Sequence, residues 1–247
     1  MSITDNPDKA GNIGMLVGAY LSPVILLFLG VAITIPTIVV YGTNIPIIPA
    51  FLLSVVMQIL TGFILLWASG KLKNIKQTLR LQNFKIKTFA YSAAIAGGIF
   101  FGLLLLNVIL SQFGIEGSNS ETTDSFNSID GIWRYVALIL FVSMLGPIVE
   151  ELFFRGIILS HLLQGHGVLG EGIKNGRVII SIVFVSTFFA LMHFQGFSEP
   201  MDFIVLLSSF IFSVAVSVLT IKTNSIYPAI VTHMLYNFLG ALTLMLT

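Results

Sequence analysis

The sequence predicts an all-α fold: a polytopic helical membrane protein with about seven transmembrane helices, or eight if a proline-broken segment counts twice, and an active site within the membrane. Three observations carry this. Of the 247 residues, 56% are hydrophobic and 9% charged, with a mean hydropathy of +0.98, whereas soluble domains carry about 25% charged residues. The apolar residues come in runs long enough to cross a hydrocarbon core, which takes about 20 residues of helix. The charges gather between the runs, with bases and acids on different connections.

The runs fall near residues 13–42, 45–69, 88–113, 135–165, 178–195, 203–221 and 226–246. The first is longer than a signal-peptide core of about 7 to 15 residues and lacks a small-residue cleavage site, so it reads as a retained span. Pro23, Pro36 and Pro49 are where a broken helix would change the count. The connection 71–87 carries Lys71, Lys73, Lys76, Arg80, Lys85 and Lys87 and no acid, while 114–133 carries Glu116, Glu121, Asp124 and Asp130 and no base. The positive-inside rule places the first in the cytoplasm and the second outside. Lys174, Arg177 and Lys222 then fall on inner connections and Glu199 and Asp202 on an outer one, with Arg134 the exception among the bases. Glu171 is also inner, where acids weigh little. The amino terminus is expected in the cytoplasm, and the protein is expected to be an integral, multi-pass protein of a bacterial cell membrane.

Residues 71–87 read as a solvated inner loop, ahead of an interfacial amphipathic helix that would use Leu72, Ile75, Leu79, Leu81, Phe84 and Ile86. Residues 117–128, rich in Ser, Asn, Thr and acid, read as an exposed loop. Cysteine is absent, which excludes disulfides, thiolate metal sites and a cysteine nucleophile. The net charge of +1 gives no reason to expect nucleic acid; the lipid bilayer is the expected surrounding partner. The sequence leaves the oligomeric state open.

Chemistry concentrates in one run, Gly146-Pro147-Ile148-Val149-Glu150-Glu151-Leu152-Phe153-Phe154-Arg155-Gly156. An ionisable side chain at bilayer depth costs about 2.5 to 3.5 kcal/mol on insertion scales, and its default reading is functional. On a helix Glu151 and Arg155 are four apart and can pair, whereas Glu150 points about 100° away with no local partner. Glu151 and Arg155 therefore read as structural and Glu150 as free to act. His193 follows Phe189 by four positions, and His233 precedes Asn237 by four, which puts imidazole and carboxamide on one helix face. Glu150 and His193 lie at similar depth, about 22 Å from the inner end of their spans. His233 lies about half as deep, so convergence on one site requires a tilted last helix or a re-entrant start after Tyr227-Pro228. His161 and His166 read as interfacial, and the phenylalanines mainly as packing.

At these residues the sequence resembles the CPBP intramembrane protease family, also called the Abi or CAAX prenyl endopeptidase family. Glu150-Glu151-Leu152-Phe153-Phe154-Arg155 matches its first motif, Phe189 with His193 its second, and His233 with Asn237 its last. The resemblance covers about residues 135–240. A less defined family motif on the intervening helix falls on Phe210 or Phe212. Residues 131–247 then form a CPBP-like catalytic core, preceded over residues 1–130 by transmembrane helices and the basic loop 70–87.

The resemblance implies that Glu150, with His193, activates a water for attack on a peptide carbonyl. It further implies that His233 and Asn237 stabilise the oxyanion and that Glu151, Arg155 and Phe189 support them. The same atoms permit a second mechanism in which Glu150, His193 and His233 hold a divalent metal, zinc being the expected one. The metal-free mechanism, requiring no cofactor, is the expected one; His-Glu-x-x-His, Gly-x-Ser-x-Gly and paired-aspartate signatures are absent.

The expected partner is a membrane-associated peptide or protein substrate. A peptide pheromone, a bacteriocin or a membrane protein is expected ahead of a prenylated one. Two other classes remain: a non-catalytic bacteriocin immunity or membrane scaffold protein of the same fold, and a transporter with a proton-relay carboxylate. The intact polar set favours the enzyme.

Overall fold

The computed structural model describes residues 47–68, 70–83, 85–115, 129, 131–163, 176–193 and 200–246, and the regular structure among them is helical. We number the long helices α1 (Ile47–Ala68), α2 (Ile86–Ser111), α3 (Ile132–Leu163), α4 (Gly176–Met192), α5 (Pro200–Thr223) and α6 (Tyr227–Leu246). Helices α2, α3, α5 from Asp202, and α6 are long and apolar enough to cross a membrane; α1 adds a fifth span if Val55–Trp67 and the bent continuation Lys71–Thr78 are one broken span. Helix α4 is apolar, with 17 residues. The expected seven spans thus compare with four or five among the described residues, and the predicted run 13–42 lies outside them. So do Glu116, Glu121, Asp124, Asp130, His166, Glu171, Lys174 and Glu199.

Helix α3 is the axis of the site, and it is not a uniform α-helix. Leu138–Leu145 and Leu152–Leu159 are in π register, on either side of the α-helical Gly146–Glu151. Such i→i+5 segments are rare and concentrate at functional positions. Two serine hydroxyls donate to carbonyls five residues back, Ser143 to Leu138 at 3.0 Å and Ser160 to Arg155 at 3.2 Å.

The core forms where α3, α4 and α5 meet, from Phe153, Phe154, Leu159, Val185, Phe189 and Phe212, with Leu65 of α1 and Ala229 of α6 joining it. Thr88, Ser92 and Ala96, buried at four-residue intervals on α2, let its backbone approach α6, as small residues do between membrane helices. Ser92 donates to the Pro228 carbonyl at 3.1 Å. Arg134, the base that departs from the positive-inside pattern, has a local reason to stand where it does. Its Nη2 donates to the Leu244 carbonyl at 2.6 Å, where a cation meets the negative end of α6.

The basic connection keeps Lys73, Lys76, Lys85 and Lys87 exposed, as expected of a solvated segment, but it is partly helical and buries Arg80. After Lys71–Asn74 and Ile75–Thr78 it ends in a cap in which the Leu81 N–H reaches the Lys76 carbonyl at 2.9 Å and the Arg80 N–H reaches Gln77 at 3.2 Å. This is the Schellman pattern, with Arg80 at φ 52° in the left-handed position that glycine normally fills. Its guanidinium is buried and donates through Nε to Ser160 at 3.0 Å; burial pulls its pKa down. Lys71 Nζ meets His161 Nδ1 at 2.8 Å on the neighbouring residue of α3.

The chain then runs over the α5–α6 turn. The Arg80 carbonyl accepts from the Ile226 N–H at 3.1 Å, the Gln82 carbonyl accepts from Ser225 Oγ at 2.6 Å, and Ser225 and Ile226 are wholly buried. The start of α6 is thereby tied to residues 80–82.

Candidate functional site

Glu150 and Glu151 are adjacent, and the helical rotation between them gives them opposite surroundings. Glu151 is wholly buried, and its Oε1 accepts from Arg155 Nη1 at 2.8 Å and from His233 Nδ1 at 2.8 Å. Arg155, also wholly buried, donates through Nη2 to Ser213 Oγ at 2.8 Å and to the Ser213 carbonyl at 3.3 Å. Its guanidinium lies 4.6 Å from the Phe189 ring centroid, a cation–π contact strengthened by desolvation. The pairing expected of Glu151 and Arg155 is present, extended by His233 and Ser213.

Glu150 is partly exposed, at 23% of its side chain, and its Oε2 lies 3.9 Å from His193 Nε2 and 3.9 Å from His233 Nε2. That oxygen has no hydrogen-bond partner. His193 Nδ1–H donates to the Phe189 carbonyl at 2.8 Å, which leaves its Nε2 lone pair toward the carboxylate. The two imidazoles approach from α6 and from the residue after α4, so the expected convergence of Glu150, His193 and His233 is present in space. Phe189 stacks at 4.6 Å on His193 and meets His233 at 5.7 Å. Phe212 packs at 4.9 Å from both His233 and Tyr236.

Asn237, one turn beyond His233, donates through Nδ2 to the Val142 carbonyl at 2.9 Å. Ser213 had a faint sequence signal: Ser213, Ser217 and Thr220 form a buried polar stripe on an otherwise apolar helix.

The donor set has the chemistry of a zinc site, two imidazole nitrogens and a carboxylate, with each Nδ1 held by an acceptor. The spacing does not match. Ligands about 2.05 Å from a tetrahedral ion stand about 3.4 Å apart, against the two 3.9 Å separations here. Among the described residues no group of three His, Asp or Glu side chains meets the distances for an ion.

Residues 132–239 match the family model for Type II CAAX prenyl endopeptidase Rce1-like. That stretch is similar to an Rce1-like domain. The match spans the three motifs and α3 to α6, so the helices that build the site are those of the domain. Rce1-like proteins are proteases, and the similarity of residues 132–239 to them agrees with helices long and apolar enough to cross a membrane. No curated protein and no solved structure matches the chain significantly.

Proposed function

We propose that the chain is an intramembrane endopeptidase that hydrolyses a peptide bond of a membrane-associated protein or peptide by glutamate-activated water, with no metal required. The observation that carries this is the unpartnered Glu150 Oε2 standing 3.9 Å from two imidazole Nε2 atoms. A water about 2.8 Å from both groups fits such a separation. It donates one hydrogen to Glu150 Oε2 and the other to His193 Nε2, which aims an oxygen lone pair at the substrate carbonyl.

His233 holds Glu151 through Nδ1 and turns its Nε2 edge toward Glu150, where the oxyanion develops. Glu150 takes the water's proton as the C–O bond forms and returns it to the amide nitrogen as the C–N bond breaks. The products are a carboxylic acid and an amine.

The test compares purified wild-type protein with Glu150→Gln on quenched fluorescent peptides, one a prenylated CAAX peptide and one its unprenylated copy. The expected result is a loss of about 10² to 10⁴ in turnover at unchanged melting temperature, with wild-type activity insensitive to a strong chelator. Equal cleavage by both proteins refutes Glu150 as the base; loss on chelation, restored by zinc, refutes the metal-free route.

A further inference from the structure

We infer that Asn237 is a positioning residue that latches α6 to α3 through the Val142 carbonyl, and that Pro147 is what makes the latch necessary. This rests on the reading of Glu150 as the base. In the π-register segment Leu138–Leu145, the Gly146 N–H donates to the Phe141 carbonyl, five residues back. The next carbonyl in that register is Val142, and the next residue is Pro147, which has no N–H. Val142 is therefore left without its backbone donor by the covalent structure of the following turn. In an apolar surrounding an orphaned carbonyl is strongly disfavoured. The Asn237 amide supplies the missing donor at 2.9 Å.

The latch lies where it controls the site. Asn237 is one helical turn from His233 on α6, and Gly146-Pro147 opens the α-helical segment that carries Glu150 and Glu151. Sliding or rotation of α6 along α3 would break the 2.8 Å contact of His233 with Glu151 and change both distances to Glu150. Three polar ties resist that motion: Arg134 to Leu244, Asn237 to Val142 and His233 to Glu151. The middle one exists because of the proline.

The experiment is a rescue. Pro147→Ala restores an N–H at the position that falls on Val142, so the carbonyl no longer needs Asn237. Asn237→Ala is expected to slow cleavage of the quenched peptide by about tenfold or more and to lower the melting temperature. Pro147→Ala alone is expected to retain activity, and Pro147→Ala/Asn237→Ala to regain most of both losses. A backbone N–H at position 147 that bonds Val142 cannot stand in for an oxyanion donor on α6, so a folded double variant no faster than Asn237→Ala overturns the latch. Unchanged activity in Asn237→Ala overturns it as well. If Asn237→Ala fails to fold, recovered yield in the double variant supports the latch and unrecovered yield overturns it. Full activity in Glu150→Gln would instead sink the glutamate reading, leaving the stability arm of the rescue to judge the latch.

Discussion

Arg155→Met tests whether the buried ion pair holds the site. Arg155 and Glu151 are both wholly buried and 2.8 Å apart, and Arg155 also makes two contacts to Ser213. Removing one partner of a buried pair leaves an uncompensated charge, at a cost of about 3 to 5 kcal/mol. For a protein of this size each kcal/mol moves the melting temperature by about 2 to 4 °C, so a drop of about 6 to 20 °C is expected. The assay is thermal unfolding in detergent, followed by the fluorescence of the two tryptophans, Trp67 and Trp133. Arg155→Lys should fall between, since one ammonium cannot reach Glu151 and Ser213 in the same fork geometry. Glu151→Gln/Arg155→Met removes the stranded charge while keeping an acceptor for His233, so it should melt above Arg155→Met. A melting temperature for Arg155→Met within about 2 °C of wild type, or a double variant no better than the single, would refute the reasoning.

Phe212, 3% exposed and wedged between His233 and Tyr236, should cost about 3 to 5 kcal/mol on truncation to Ala. Phe210→Ala should cost far less, and equal melting temperatures for the two variants would count against Phe212 as the packing residue of the site. At Arg80 the backbone favours glycine while the side chain bonds Ser160, so Arg80→Gly should be less destabilising than Arg80→Ala by about 1 kcal/mol. Both should melt below the exposed-site control Lys73→Ala; a ranking with Ala above Gly would remove the strain argument.

The polar cluster was legible in the sequence because burying charge in an apolar span is costly, and residues at four-residue spacing must share a helix face. That logic placed Glu151 with Arg155 and left Glu150 open, as the coordinates do. The covering of the α5–α6 turn by residues 80–82 was not legible, because it joins segments more than 140 positions apart. The burial of Arg80 was not legible for the same reason: nothing local says that it, among six bases in a row of seventeen residues, is the buried one. The choice between Phe210 and Phe212 turned on which face of α5 meets α6. The contact of Asn237 with the Val142 carbonyl was not legible, because it goes with the π register of α3, which no hydrophobic periodicity reports.

In this apolar chain several polar side chains serve the backbone. Ser143, Ser160, Ser92, Thr232 and Asn237 each donate to a main-chain carbonyl. Where lipid or apolar side chains surround a helix, an irregular turn persists only if its freed carbonyls find donors. The two π segments of α3 meet that condition through the hydroxyls of Ser143 and Ser160 and the amide of Asn237. They can therefore flank the glutamate pair without leaving its backbone unsatisfied. Other buried polar atoms also lack a partner, Glu151 Oε2 and Arg155 Nε among them; what sets Glu150 Oε2 apart is that it stands 3.9 Å from two imidazole Nε2 atoms. A carboxylate oxygen facing two imidazoles across gaps of that width has the arrangement that a reacting water and a peptide carbonyl require.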